Sequence, residues 1–507
     1  MSSAAETHAA AGPSSRKLAG YTAWNLVGMC APMLVAVFAI PLLIRGLGAD
    51  RFGTLSLIWM LVGYFSVLDL GLGRAMTKLT AEYIGRGRDS ELPGIFWTAL
   101  GVMALLGLAG GAALAGLSGW LVDVRLRIPP ELRAETRLAF LAVSIGMPVA
   151  VATTGLIGVL EAHHRFRLIN LIRVPMGAFT FAGPLMVLPF SKSLYAVVMV
   201  LIAGRLVEWV AYFACCLVTL PALRRRLAWD GRLLGPLLRF GGWMTVSNIA
   251  LPLMIHVDRL LIGALLPIAM VTYYATPAEI VVKLLIFPRA WVSVLFPSMT
   301  AAFAAKSSTV GELYSRGVRY LVLAAFPVAL AVMLGAHEGL QIWLGADLAD
   351  KSARVMQWLT AGIFVYSLAY MPFSLLQSAG RPDLSARLHA LELPLYLVLS
   401  SAMIRRFGIE GASAAWLLRS VVEAAILFWM VRRFTPGAGP SVGRAMALAA
   451  AGLLLAGGGA CLDSFAARLA VGGLLLPAFL AIGWRWLLSE QERTLVREQA
   501  RRLASRA

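Results

Sequence analysis

Residues 248–266 read NIALPLMIHVDRLLIGALL, a stretch apolar enough for a bilayer core that nevertheless carries His256, Asp258 and Arg259 within four residues. A charge at the bilayer centre costs at least about 2.5–3.5 kcal/mol on insertion scales, so each of these groups needs a partner or an aqueous cavity. The stretch therefore reads as a membrane-spanning helix with a polar task. The whole chain agrees with it: of 507 residues, 59% are hydrophobic and 14% charged. Soluble domains hold an apolar share of only about 45–50%.

Apolar runs near the roughly 20 residues that cross a hydrocarbon core fall at 21–44, 54–72, 93–122, 138–160, 169–189, 194–221, 240–266, 271–298, 318–345, 355–379, 384–404, 411–431, 442–461 and 466–488. The expected class is an all-α polytopic membrane protein of about fourteen transmembrane helices. Pro32, Pro148, Pro252 and Pro327 would kink their helices, which neighbouring helices can tolerate. Arg16 and Lys17 precede the first run as in a signal peptide, but that run extends to about Leu43, so the first helix is expected to stay attached. The small, polar residues 1–18 read as a disordered cytoplasmic tail.

The formal charge of +19 sits in short clusters between apolar runs, as in LRRRLAWDGR and VRRF, and not on an interleaved polar surface. That pattern argues against nucleic-acid binding and for topology. With the N-terminus in the cytoplasm, the loops holding Arg74, Lys78, Arg86, Arg88, the run Arg224–Arg226 and the last helix end collect the cations by better than two to one over the opposite side. Both termini are thus expected to face the cytoplasm, in the cytoplasmic (inner) membrane. Cys30, Cys215, Cys216 and Cys461 lie inside apolar runs without metal or disulfide spacing, and no cofactor is expected.

The Asn25 and Pro32 of the first helix return as Asn248 and Pro252 in the seventh, which suggests two related halves. The expected organisation is an N-terminal six-helix lobe over 19–221, a basic cytoplasmic linker over 222–239 and a C-terminal six-helix lobe over 240–433. Two additional helices over 434–488 and a basic tail over 489–507 follow. In transporters with related halves the site lies near the midplane.

The stretches LGADRFGTLSLIWMLVGYFSVLDLGLGRAMTKLTAEY, GGWMTVSNIALPLMIHVDRLLIGALL, VTYYATPAEIVVKLLIFPRAWVSVLFP, IWLGAD, LLQSAGRPD and FGIEGASAAWLLR, in that order, carry a resemblance. Over residues 20 to 435 the chain resembles the Wzx-type polysaccharide-biosynthesis flippases of the multidrug/oligosaccharidyl-lipid/polysaccharide exporter superfamily. The resemblance implies a two-lobed transporter that carries polyprenyl-diphosphate-linked oligosaccharide repeat units between leaflets for O-antigen or exopolysaccharide assembly. It also implies a polysaccharide polymerase and chain-length proteins as partners, beside membrane lipid. Such flippases place basic residues on the first helix as well, whereas here that helix offers only Asn25.

Arg205 and Glu208, Glu279 and Lys283, and Arg419 and Glu423 are spaced three or four apart, so each pair can meet on one helix face and neutralise itself. Arg173 and Arg289 lie near helix ends, where a long side chain can reach the interface, and Asp69 lies near the end of its span. Asp258 and Arg259 are adjacent and point about 100° apart, so each must find something else. Arginine's planar fork suits phosphate oxygens. Arg259 is the first expected diphosphate contact, followed by Lys283, Arg205 and Arg173; the alternative for Arg259 is an interhelical ion pair. Glu392 reads as an isolated carboxylate suited either to a proton-coupled step or to a hydrogen-bonded structural role. Asp258, Glu279, Asn25 and Asn248 complete the expected coupling or cavity polar groups.

Enzyme readings find little. No lysine follows a glycine, so there is no Walker A loop, and His337-Glu338 lacks the second histidine of a zinc protease. A membrane glycan polymerase or ligase usually has a large outer loop, and the longest here, 123–137 and 346–354, are modest. A multidrug exporter of the same superfamily would meet Arg259 and Lys283 with a cationic cargo, an unfavourable match.

Overall fold

The computed structural model describes residues 32–64, 69, 71–86, 88–163, 165–224, 229–233, 235, 254, 256–305, 309–435, 439–494 and 498. Asn25 and Asn248 lie outside them. The described chain is helical, and ten of its helices are long and apolar enough to cross a membrane. It is a multi-pass membrane protein, and its contacts divide into two units, Met1–Pro252 and Leu253–Ala507.

The first unit holds α1 (Pro32–Leu47), α2 (Ala49–Tyr64), α3 (Leu72–Gly85), α4 (Leu92–Trp120), α5 (Pro130–Ala162), α6 (Phe166–Val187) and α7 (Leu194–Thr219). The expected span 54–72 is interrupted before its end: Asp69 and Gly71 are turn residues and α3 starts after Gly71, whose φ of 73° is open to glycine at little cost. Asp69 caps α3, accepting from the backbone N–H groups of Gly71 at 2.8 Å and Gly73 at 3.2 Å, and from Thr154 Oγ1 on α5 at 2.9 Å. That buried capping role is what the acid does here, in place of one set by the end of a span.

α5 is the hub of this unit, packed on α4, α7 and α3. Gly107 and Gly111 of α4, four apart, face it so closely that an added Cβ would stand 2.4 Å from Pro148 Cα and 2.4 Å from Ser144 O. Between apolar helices in lipid, small residues at this spacing supply the close backbone approach that drives association. Gly111→Leu is expected to overpack this contact and lower stability by about 1–3 kcal/mol or more, read as a lower thermal midpoint in detergent. Gly116→Leu on the same helix, where an added Cβ meets nothing within 4 Å, should leave the midpoint unchanged.

The second unit holds α8 (residues 256–265), α9 (Ala269–Lys283), α10 (Ile286–Ala304), α11 (Thr309–Leu334), α12 (Ala336–Leu344), α13 (Ala346–Ser378), α14 (Pro382–Val431), α15 (Gly439–Ala460) and α16 (Phe465–Trp486). α13 is buried along most of its length and packs on α14, α11, α12, α9 and α10. α14 carries two of the expected spans, because Gly408 leaves the helical region at φ 64° and ψ −142°. An added Cβ at Gly411 would meet Met403 O, so the chain doubles back there.

The two C-terminal helices belong to this unit's core. Both pack on α11, where Phe326 stacks on Phe479 of α16 with ring centroids 3.8 Å apart. Beyond α16, Glu492 accepts from Tyr320 Oη at 2.6 Å, from the Ser489 N–H at 2.7 Å and from Arg319 Nη2 at 3.1 Å, which ties the C-terminal segment to α11. Burial alone would raise this carboxyl, but those donors together hold it below the ordinary carboxylate value. Large apolar side chains such as Ile145, Leu171, Leu454 and Leu474 are exposed, as lipid-facing residues should be.

Candidate functional site

Buried charge concentrates on α8, α9 and α14 of the second unit. Asp258 and Arg259 diverge as their adjacency requires. Asp258 is 1% exposed and accepts three hydroxyl hydrogen bonds: from Tyr274 at 2.7 Å, from Ser400 at 3.2 Å and from Tyr396. Three donors around one carboxylate replace the water it has lost.

Arg259, 3% exposed, donates from Nη2 to Glu279 Oε1 at 2.7 Å. The expected Glu279–Lys283 pair is thus replaced by an interhelical pair, since the guanidinium of α8 reaches the carboxylate first. Lys283, one turn further along α9 and half-buried, still acts electrostatically on Glu279, as does His256. Two fixed cations therefore stand near the Glu279 carboxylate, while the Asp258 carboxylate is taken up by its three hydroxyl donors.

A second cluster has the opposite imbalance. Arg419 Nη1 lies 3.3 Å from Glu392 Oε1 and 3.2 Å from Glu423 Oε2, and His389 Nε2 is 3.2 Å from Glu423 Oε1. The guanidinium is held over the Trp416 ring at 4.2 Å and flanked by Tyr366 and Tyr396 at 5.4 Å each. Glu392 is therefore not the isolated carboxylate expected: the second half of α14 brings Arg419 to it. The pairs 389/423, 392/419 and 396/416 step in opposite directions along the two halves, an antiparallel register about Gly408.

One guanidinium faces two carboxylates, and several polar atoms keep no hydrogen-bond partner: Glu392 Oε2, Glu423 Oε2, Arg419 Nε and Arg419 Nη2. His389, Glu392 and Glu423 also have ligand atoms within 4.8 Å of one another, the spacing of a cation site. Arg419 already occupies the cation's place, so a divalent ion would sit against a fixed positive charge.

The first unit offers less. Arg205 pairs with Glu208 at 2.8 Å, as expected, and lines a cavity of about 40 Å³ with Trp59 and Phe179. That is room for a few waters at most. Arg173 is exposed. The sequence reading missed His389, Tyr274, Tyr396, Ser400 and Trp416. For His389 a signal existed, because it lies three residues before Glu392, on the same helix face.

Residues 42–352 match a family described as "Polysaccharide biosynthesis protein". The chain is 30% identical over 416 residues to the "Putative O-antigen transporter" of Shigella flexneri, covering 81% of this chain and 96% of that protein. Among solved structures, an inward-facing MATE-family multidrug transporter superposes with a TM-score of 0.72 at 13% identity, covering 82% of this chain and 98% of the other. The lipid II flippase MurJ in an inward closed conformation gives 0.71 at 10% identity, covering 92% and 99%. At these identities the two structures share the fold.

Proposed function

Because the chain belongs to the polysaccharide biosynthesis protein family, we propose that it is a transporter, not an enzyme, and carries polyprenyl-diphosphate-linked oligosaccharide repeat units across the membrane. The observation that carries this reading is the pair of cations against one carboxylate on α8 and α9. A diphosphate is a strong anion, and a charge-assisted hydrogen bond to the half-buried Lys283, with the buried Arg259 adding its charge from behind Glu279, would hold it there. A cationic drug would meet the same charges as repulsion. The carrier's apolar chain stays in lipid. Both termini lie in the cytoplasm, the membrane is the cytoplasmic one, and a polysaccharide polymerase with its chain-length proteins takes the product.

The α14 cluster suits the coupling step. Two carboxylates and one guanidinium buried together leave a negative charge that one proton, held among His389, Glu392 and Glu423, would balance. Translocation then needs no covalent chemistry. It needs only a proton that enters the cluster in one state and leaves it in another.

The test is a strain lacking the gene, complemented with wild type or Lys283→Ala, in which lipid-linked repeat units in the cytoplasmic leaflet are measured. Losing a charge-assisted hydrogen bond worth about 1.5–3 kcal/mol should slow export by roughly ten- to a hundredfold. Membrane abundance should not change. Export at the wild-type rate would remove Lys283 from the site, and absence of accumulation in the deletion strain would remove the function. Arg259→Ala is expected to lower both export and abundance, because it leaves Glu279 without its ion-pair partner.

A further inference from the structure

α14 and α15 are consecutive, yet α15 packs on α11 and α16 and not along α14. Between them runs a groove of about 1030 Å³. Val421, Phe428 and Trp429 line one wall and Gly443, Met446 and Leu453 the other, with Phe364 of α13 beneath. Such a groove cannot stand empty in hydrocarbon, because its walls would forfeit their dispersion contacts. The lining residues on α15 extend from Gly439 to Leu454, about 22 Å at the rise of an α-helix. That is the reach of one extended fatty-acyl chain, and well short of a long polyprenyl carrier.

The groove is not apolar throughout. Arg432 and Thr435 line one end. Arg433 lies over the Trp429 ring at 5.9 Å, and Arg444 is exposed on the second turn of α15. Among the described residues none of these arginines has a carboxylate partner. Arg432 in the lining, Arg433 next to it in the chain and Arg444 next to the lining Gly443, together with the exposed Trp429, give this end of the groove a positive sign. Basic pockets between helices on the cytoplasmic side recognise anionic lipids in this way.

We propose that the α14–α15 groove is a binding site for an anionic phospholipid, with an acyl chain along the groove and the phosphate held by Arg432, Arg433 and Arg444. This site is separate from the Arg259 and Lys283 region and does not depend on what is transported. Occupied, it replaces the missing helix–helix contact and sets the spacing of α14 and α15.

Trp429 reports on it directly. In proteoliposomes of the full chain, the quenching lost on Trp429→Phe isolates this tryptophan from the other thirteen. Phosphatidylglycerol brominated in its acyl chains is expected to quench that component at a lower mole fraction than brominated phosphatidylcholine. Arg432→Gln and Arg444→Gln should each weaken the preference, by about fivefold per arginine near the surface. Gly443→Leu places a side chain where an added Cβ meets nothing within 4 Å. It should fill the groove and reduce quenching by both lipids without disturbing the fold. Equal quenching by the two lipids, or a preference unmoved by either arginine variant, would overturn the proposal. So would displacement of the brominated phosphatidylglycerol by polyprenyl phosphate but not by unlabelled phosphatidylglycerol, because the groove would then belong to the carrier's chain.

Discussion

Arg419→Ala is expected to remove about 3–5 kcal/mol of stability, the usual loss when one partner of a buried ion pair is deleted. The side chain is 2% exposed and lies against both Glu392 and Glu423. Its removal leaves two carboxylates facing each other across a dry gap and strips Trp416 of the guanidinium above it. The effect should appear as a large fall in the thermal midpoint of purified protein and in membrane abundance. The triple variant Arg419→Met, Glu392→Gln, Glu423→Gln removes all three charges at nearly constant volume, and buried ion groups replaced in this way are often no less stable. The triple variant is therefore expected to recover the midpoint while transport stays lost. Full transport by it would mean that the cluster is purely structural, and the coupling role would fall.

Asp258→Ala should be comparably damaging. It leaves the hydroxyls of Tyr274, Tyr396 and Ser400 without their acceptor in a fully buried site. Each unsatisfied group costs about 1–3 kcal/mol. Asp258→Asn separates shape from charge, because an amide oxygen in the Oδ1 place still accepts from Tyr396 and Ser400 while the NH2 in the Oδ2 place donates to the Tyr274 hydroxyl oxygen. Asn is expected to restore most of the stability lost in Ala. Reduced transport at restored stability would show that the negative charge is used. If Ala and Asn lower the midpoint equally, the hydroxyl network is not what holds the aspartate.

Much of this was legible in the chain. Runs of apolar residues mark the helices because the bilayer imposes their length, and the 100° step between neighbours already required Asp258 and Arg259 to find different partners. The family resemblance read from ordered phrases between residues 20 and 435 matches the family found for residues 42–352. Helical spacing located Arg205–Glu208 and Arg419–Glu423 correctly. It failed for Glu279, because an i,i+4 rule sees one helix and Arg259 comes from another. Glu392 looked solitary for the same reason: its partner is 27 residues away, and only the reversal at Gly408 brings the two together. Tertiary pairing carries no local pattern, and neither does the ring of hydroxyls around Asp258.

That reversal also bears on how the protein is made. Residues 382–407 leave the ribosome with Glu392 and no cation on the same helix face to offset it, so this half alone is a poor candidate to partition sideways into lipid. Its counter-charge, Arg419, is synthesised about three helical turns beyond the bend. With almost no loop at Gly408 and the ionic partners facing across it, the two halves form a hairpin in which Glu392 meets a guanidinium before it meets the acyl chains. The bend therefore makes residues 382–431 a single unit of insertion, in which Glu392 enters the bilayer with a guanidinium already facing it.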